Sequence, residues 1–514
     1  MTTAETGNIN AALSNPREDM AKLDELERKL FSLRYALGEI GSLGPVIDPP
    51  KATEERAEAT AVLANQETEL LLDPEVGYLL NRLEENASII GQTRRYQVKI
   101  LKRDREALLG IPAEEQEEFC RLTVTANDVW RRAKAANDWE SFEPYLDRVV
   151  AALVSMAQHA KPDMDPYDFW LDQHEHGADR SLYDTFFSQV KDCVVPLLAD
   201  CMASSRQPDA RVVAGDFDER RQWELASDVL DLEGVDRDAL WLGKTEHPFT
   251  GGPSTGFVII AGHAYESNVL SNVFSMLHEG GHTMYEQSVS PDYRYTSLRG
   301  GTSAAMHEAQ SRFFENYVGR SEAFSEQLVV LLRKHFPGQL GRLTARQLYM
   351  AENKATPCLI RCDADELTYP LHIIVRYEIE QLLFSGEAKA ADVPGLWSER
   401  YKKYLGINVP DYTHGALQDT HWSDGDFGYF PTYALGGAYG AQLKVAMERQ
   451  GVDFDGACAS GDLAPIRNWL SEKIWKWGRA KDSAELIMDA TGEEFRAKYY
   501  TDYLTKKFSA IYGL

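Results

Sequence analysis

The sequence predicts one large, mostly α-helical domain, and three observations predict it. Apolar residues recur at spacings of three and four from Met20 almost to the C-terminus. Only one run, residues 251–267, has the short β-branched character of a strand. No internal repeat, coiled-coil heptad or long linker interrupts the pattern, so the 514 residues read as a single unit despite a length that usually implies several.

In chain order, residues 1–18 are small and polar with a proline at 16 and are expected to be disordered, which leaves 19–514 as the folded domain. KLDELERKLFSLRYALGEI is amphipathic, and EERAEATAVLANQETELLL follows the Pro-rich turn DPPKA. Helical patterns continue through NRLEENASIIGQTRRYQVKILKRDREALLG, EEQEEFCRLTVTANDVWRRAKAANDW and the long stretch from Tyr167 to Met202. Charges on these helices mark solvated faces. His174 and His176, two apart on an acidic turn, are expected at the surface. Phe257 to Ala261 is the strand core, and its edge could hydrogen-bond an extended peptide. A helix then runs through SNVFSMLHEGGHTMYEQ to a stop at Ser290-Pro291. Gly300-Gly301 breaks the chain, Thr302 or Ser303 caps the next helix, and Met306, Ala309, Phe313, Phe314 and Tyr317 form its stripe. The run from His414 to Gln442 is rich in Gly, aromatics, His and Asp. It is expected to be non-helical until Leu435 and to line a site.

Composition narrows the partners. The chain is 44% hydrophobic with mean hydropathy −0.39, ample for a large core. A net charge of −26 argues against nucleic acid and anionic membrane, which both select basic surfaces. No window approaches eighteen apolar residues and the N-terminus has no apolar leader core. Six sparse cysteines point to a reduced, cytoplasmic setting, with Cys358 and Cys362 read as buried thiols rather than a second metal site.

The chemistry lies in the helix around residue 280. His278, Glu279 and His282 form H-E-x-x-H, which on a helix aims two imidazoles at one point and sets a carboxylate beside it. That is the arrangement of a zinc hydrolase: two nitrogen ligands, a general base, and room for water. Gly280 and Gly281 each cost a helix interior about 1 kcal/mol, so close approach of another backbone or of a substrate is expected there. A third ligand is needed. One common spacing would require Gly at 285 and His at 288, which are Tyr285 and Ser288; another would place Glu at 301, which is Gly301. Glu308, 26 positions after His282, is the remaining strong candidate. Glu308 and Arg312, four apart, also fit an ordinary surface ion pair.

These motifs together resemble the carboxypeptidase Taq family of zinc metallocarboxypeptidases. The resemblance is carried by His247-Pro248-Phe249, HEGGH at 278–282, HEAQSR at 307–312, IRCDAD at 360–365, and GALQDTHW at 415–422 continuing into FGYFPTY. It implies a helical, saddle-shaped fold with a central groove and a small sheet beside the H-E-x-x-H helix. It implies His278, His282 and Glu308 as metal ligands, Glu279 as catalytic base, a homodimer, and release of single residues from peptide C-termini with broad tolerance. Two departures stand out. The family's D-x-R-x-T is replaced at Phe257, Ile259 and Ala261, and its Trp-Asp is not evident at Ile47-Asp48.

On this basis His421 and Tyr433 are the expected oxyanion donors, because both lie in the stretch that resembles the family's site. Arg361 is expected to grip the substrate's free carboxylate, the alternative being an ion pair with Asp363 or Asp365. Asp365 could also orient a ligand histidine. Zinc is the expected ion, with cobalt or manganese compatible with two His and one Glu. The competing readings are an endo-acting oligopeptidase of the same fold and a retired homologue that binds peptides without cutting them.

Overall fold

The computed structural model describes residues 15–47, 49–245 and 248–514. The expectations placed on residues 1–14, on Asp48 and on His247 fall outside them. The N-terminal helix, Pro16–Ile47, begins ahead of the expected start at 19. Pro16 opens it with a pre-set φ, and Glu18 and Asp19 favour its positive end. With helices Thr53–Leu72, Pro74–Glu85 and Gln92–Glu106 it encloses a first apolar cluster that includes Leu23, Leu30, Leu79, Leu83 and Leu101. Between Leu122 and Tyr512 most of the buried apolar residues form one much larger cluster.

The two are joined by a small apolar patch of Ile100, Val289, Tyr293, Leu298 and Ala480 and by a polar seam. In the seam, Glu27 accepts from Ser297, Asp104 bridges Arg34 and Arg479, and Asp482 pairs with Lys99 and Arg103. No helix among the described residues is long and apolar enough to cross a membrane.

The strand-like run proves to be the centre of a three-stranded sheet. Strands β1 (Leu240–Lys244), β2 (Phe249–Ser254) and β3 (Phe257–Gly262) lie in the order β1-β3-β2, with β1 parallel and β2 antiparallel to β3. Both edges of β3 are therefore paired, which corrects the expectation that this run offers a free edge to a peptide. Its outer neighbours escaped notice because LWLGK does not alternate and FTGGPS is rich in breakers. Gly252 has φ +138°, and a side chain there would strike the Phe257 carbonyl, so the irregular β2–β3 pairing requires glycine. Ile259 and Ala261, at positions where the family carries polar residues, are fully buried. The N-terminal helix packs closely on β2: a Cβ at Gly38 would lie 3.0 Å from the Pro253 Cα.

The motif helix, Val269–Ser288, is capped by Asn268, whose side chain accepts from the Ser271 N–H. The Glu308 helix, Ala304–Arg312, is capped by Ser303, one of the two predicted residues, and runs on into a wide π-helical turn, Phe313–Gly319. The Gly- and aromatic-rich stretch turns helical earlier than expected. Helix Phe430–Arg449 starts with Pro431 in its first turn, so Tyr433 sits on a helix rather than in a loop.

Candidate metal centre

Two helices and one glycine set the geometry. A Cβ on Gly281 would lie 2.5 Å from the Gln310 carbonyl oxygen and 2.7 Å from the Ser311 Cα, so the motif helix and the Glu308 helix touch backbone to backbone. This is the close approach that the Gly-Gly pair foretold. From the other side, Gly436 lets helix Phe430–Arg449 come within 2.8 Å of the Glu308 Cβ by the same measure.

The result brings together the three predicted donors. Glu308 Oε2 lies 3.6 Å from His278 Nε2 and 3.4 Å from His282 Nε2, and all three ligand atoms fall within 4.8 Å of one another. Three donors each about 2 Å from a tetrahedral ion would stand roughly 3.3 Å apart, so the set fits a divalent ion of the zinc class. Among the described residues no other group of His, Cys, Asp and Glu meets this criterion.

The two expectations for Glu308 turn out to be compatible, because a carboxylate has two oxygens. Oε1 accepts from Arg312 Nε at 2.7 Å while Oε2 faces the imidazoles. Burial opposes its charge, but His278 and Arg312 hold Glu308 well below the ordinary carboxylate range. The pair is buried rather than at the surface.

Each imidazole is oriented from behind. His278 Nδ1 lies 3.0 Å from Glu315 Oε2, which leaves Nε2 to point at the centre. Glu315, from the π-helical turn, also accepts from Arg312 at 2.9 Å and Arg320 at 3.2 Å. His282 Nδ1 lies 2.6 Å from His307 Nδ1, and His307 Nε2 lies 2.8 Å from Glu286 Oε1. Burial, reinforced by His307 and His278, lowers His282 to about 3 and keeps it neutral. For His278 burial acts in the same sense but is outweighed by Glu308 and Glu315, and it shifts upward.

Glu279 is buried, and Thr250 of β2 donates to its Oε2 at 2.6 Å and to its backbone oxygen at 3.1 Å. Its Oε1 has no protein partner among the described residues. Burial raises Glu279 above an ordinary carboxylate in spite of His278 and Thr250. A base poised in this way holds a proton more readily than a solvated glutamate.

A second polar group lies one tyrosine away. The Arg312 guanidinium lies 4.1 Å over the ring of Tyr369, whose hydroxyl accepts from Arg361 Nη1 at 3.1 Å. Arg361 is buried, and its ion-pair partner is Asp419 at 3.0 Å, neither of the two expected aspartates. Asp419 also pairs with Arg376. Nη2 of Arg361 has no protein partner among the described residues. Tyr433 faces Arg361, with 5.0 Å from guanidinium carbon to ring centre, and its hydroxyl is 3.3 Å from His421 Nε2. His421 is lowered to about 3, chiefly by burial and next by Arg361, so it is a neutral imidazole. Trp130 and Lys134 hold this loop by donating to the Leu417 and Gln418 carbonyls.

Three expectations are corrected. Asp365 orients no ligand histidine; it accepts from the Leu367, Thr368 and Thr356 N–H groups and caps the turn before helix Tyr369–Ser385. His174 is not a surface group, for its ring packs on Tyr429 at 5.1 Å and its Nε2 meets the Phe427 carbonyl. Cys362 is exposed and Cys358 only part-buried, and they share no helix face. The residues that position the donors, Glu315, His307 and Glu286, and Thr250, which holds Glu279, received no role from the sequence. His307 and Thr250 lie within or next to motifs, which was the available signal.

Comparison with known proteins bears on the family and the fold. Residues 44–508 match the family described as carboxypeptidase Taq (M32) metallopeptidase. The chain is 35% identical over 466 residues to carboxypeptidase 1 of Bacillus subtilis, covering 91% of this chain and 93% of that one. It is 34% identical to thermostable carboxypeptidase 1 of Thermus thermophilus, covering 90% and 93%. Its structure matches the crystal structure of an M32 carboxypeptidase from Deinococcus radiodurans with TM-score 0.93 at 31% identity, over 97% of this chain and all of that one. The helical fold with a small sheet beside the motif helix is thereby borne out.

Proposed function

The chain belongs to the carboxypeptidase Taq (M32) metallopeptidase family, a family of metal-dependent hydrolases of peptides, and on that premise we propose that it is a zinc carboxypeptidase removing single residues from peptide C-termini with broad tolerance. The observation that carries the reading is the convergence of His278 Nε2, His282 Nε2 and Glu308 Oε2 beside a buried Glu279 with one free oxygen.

In this reading His278, His282 and Glu308 would hold the ion, which when bound would supply a Lewis acid for the scissile carbonyl and acidify water. Glu315 and His307 keep the two imidazoles turned toward it. Glu279 takes the proton of the attacking water at Oε1 and passes it to the leaving amine, while Thr250 fixes Oε2. His421, a neutral imidazole with a single N–H, stabilises the developing oxyanion through that N–H together with the Tyr433 hydroxyl. Arg361 binds the substrate's terminal carboxylate through Nη2. Asp419 accepts from Nε and Tyr369 from Nη1, so the guanidinium is fixed before substrate arrives.

The same reading makes the chain a cytoplasmic homodimer with zinc as its working ion. Mass spectrometry of N-terminally blocked peptides incubated with metal-loaded protein tests the activity. A ladder of products each one residue shorter is expected, and internal fragments would instead mean an endo-acting enzyme. Arg361→Ala should raise KM for peptides with a free carboxylate far more than for their C-terminal amides; equal losses would remove the carboxylate role.

A further inference from the structure

In the polar seam between the N-terminal helix and the body lies a cavity of about 170 Å³, lined by Glu27, Phe31, Arg34, Ser297, Arg299 and Arg479 among others. Three guanidinium groups face it, in a chain with 54 basic against 80 acidic residues. Two are matched by carboxylates. Arg34 donates to Glu67 at 2.7 Å and to Asp104 at 3.2 Å, and Arg479 donates to Asp104 at 2.7 Å.

Arg299 is different. It is half-buried, its Nη1 donates to the Pro253 carbonyl, and its guanidinium carbon lies 5.5 Å over the Phe31 ring. It makes no ion pair among the described residues. The carboxylate on the cavity wall, Glu27, has both oxygens committed to Ser297, at 2.7 Å and 2.8 Å, and burial pushes it up to about 7, so it is a poor counter-ion. Glu286 offsets part of the Arg299 charge from a distance but makes no hydrogen bond with it, its Oε1 being taken by the Gly301 N–H and His307. A half-buried guanidinium with no carboxylate in contact, beside two others, leaves donors for an anion.

We propose that this cavity binds a tetrahedral oxyanion of the phosphate class, held by the free edge of Arg299 in the field of Arg34 and Arg479. The volume equals the liquid share of about five or six waters, enough for one such ion and its nearest solvent. A planar guanidinium suits it because two N–H groups can meet two oxygens at once. The position gives the site a purpose. Arg299 leads into Gly300-Gly301, and the Gly301 N–H donates at 3.2 Å to Glu286, the carboxylate behind His307 and His282. An occupant ties the N-terminal helix to the segment that enters the Glu308 helix.

Calorimetric titration of inorganic phosphate into the metal-loaded full chain, at ionic strength held constant with chloride, tests the site. One phosphate per chain is expected, with a thermal midpoint raised by about 2 °C at saturation. Arg299→Gln should weaken binding at least about tenfold, and Arg299→Lys, which keeps the charge but loses the fork, should weaken it less. Circular dichroism identifies any variant that fails to fold, and the wild-type titration stands without it. The absence of binding beyond the chloride control overturns the proposal. So does unchanged binding in a folded Arg299→Gln, which would put the phosphate elsewhere, at the metal for example.

Discussion

Replacing Gly281 by alanine sets two effects of opposite sign against each other on the motif helix. Helix propensity alone favours alanine by about 1 kcal/mol. Packing opposes it, since the new Cβ would stand 2.5 Å from the Gln310 carbonyl oxygen and 2.7 Å from the Ser311 Cα, both backbone atoms that cannot rotate away. Ordinary contact begins near 3.4 Å, so the Glu308 helix must retreat by about 0.9 Å. Glu308 Oε2, now 3.4 Å and 3.6 Å from the two Nε2 atoms, would move to roughly 4.3–4.5 Å, too far for all three to reach one ion at bonds of about 2 Å. Overpacking of this kind costs about 1–3 kcal/mol, which leaves a net destabilisation near 1 kcal/mol. Metal affinity should fall at least about 100-fold, since displacing a ligand costs no less than losing its supporting shell. Gly280→Ala is the matched control. Its Cβ would meet the buried Glu233 carboxyl at 2.0 Å, a side chain of helix Glu219–Glu233, so the clash does not fall on the Glu308 helix. Chelator competition on both variants and a thermal melt give the answer. If Gly281→Ala bound the ion as tightly as wild type and melted higher, the argument that this contact sets the donor geometry would be wrong.

The remaining predictions follow from the same structure. Glu279→Gln should keep one ion per chain and lose about 10²–10⁴ in kcat, because it keeps the Thr250 contact but cannot take a proton; near-normal turnover would reject the base. His307→Gln should lower metal affinity about 10- to 100-fold with little loss of stability, measured by the same chelator competition, and an unchanged affinity would assign His307 to packing alone. Glu27, raised from 4.5 to about 7 chiefly by burial, is worth most to the fold when protonated, so its contribution is complete below pH 4.5 and lost as pH rises through 7. Wild type should therefore lose at most about 3 kcal/mol relative to Glu27→Gln between pH 4.5 and pH 8, seen as a widening gap in thermal midpoints. A gap independent of pH would contradict it.

What could be read from the sequence was what local spacing controls. The i, i+4 pair His278 and His282, the cap at Ser303 and the helical stripe after it all depend on neighbours within a turn or two. What escaped depends on contacts across the fold. Arg361 had two aspartates within four residues, yet pairs with Asp419, 58 positions away, because the turn at 361–363 packs on the loop that ends in His421. Glu315, in the π-helical turn that follows the Glu308 helix, reaches His278 on a different helix 37 positions away, a contact that no local spacing announces. Tyr433 read as a loop residue because glycines and aromatics lower helix propensity. Its surroundings overrule that, with Gly436 and Gly440 serving as contact points for the Glu308 helix and Tyr317.

The most direct test is a crystal of the zinc-loaded protein measured on both sides of the zinc absorption edge. A single anomalous peak per chain, about 2 Å from the Nε2 atoms of His278 and His282 and from Oε2 of Glu308, is the predicted result. A peak bound elsewhere, or full peptidase activity from crystals that show no peak between these three side chains, would contradict it.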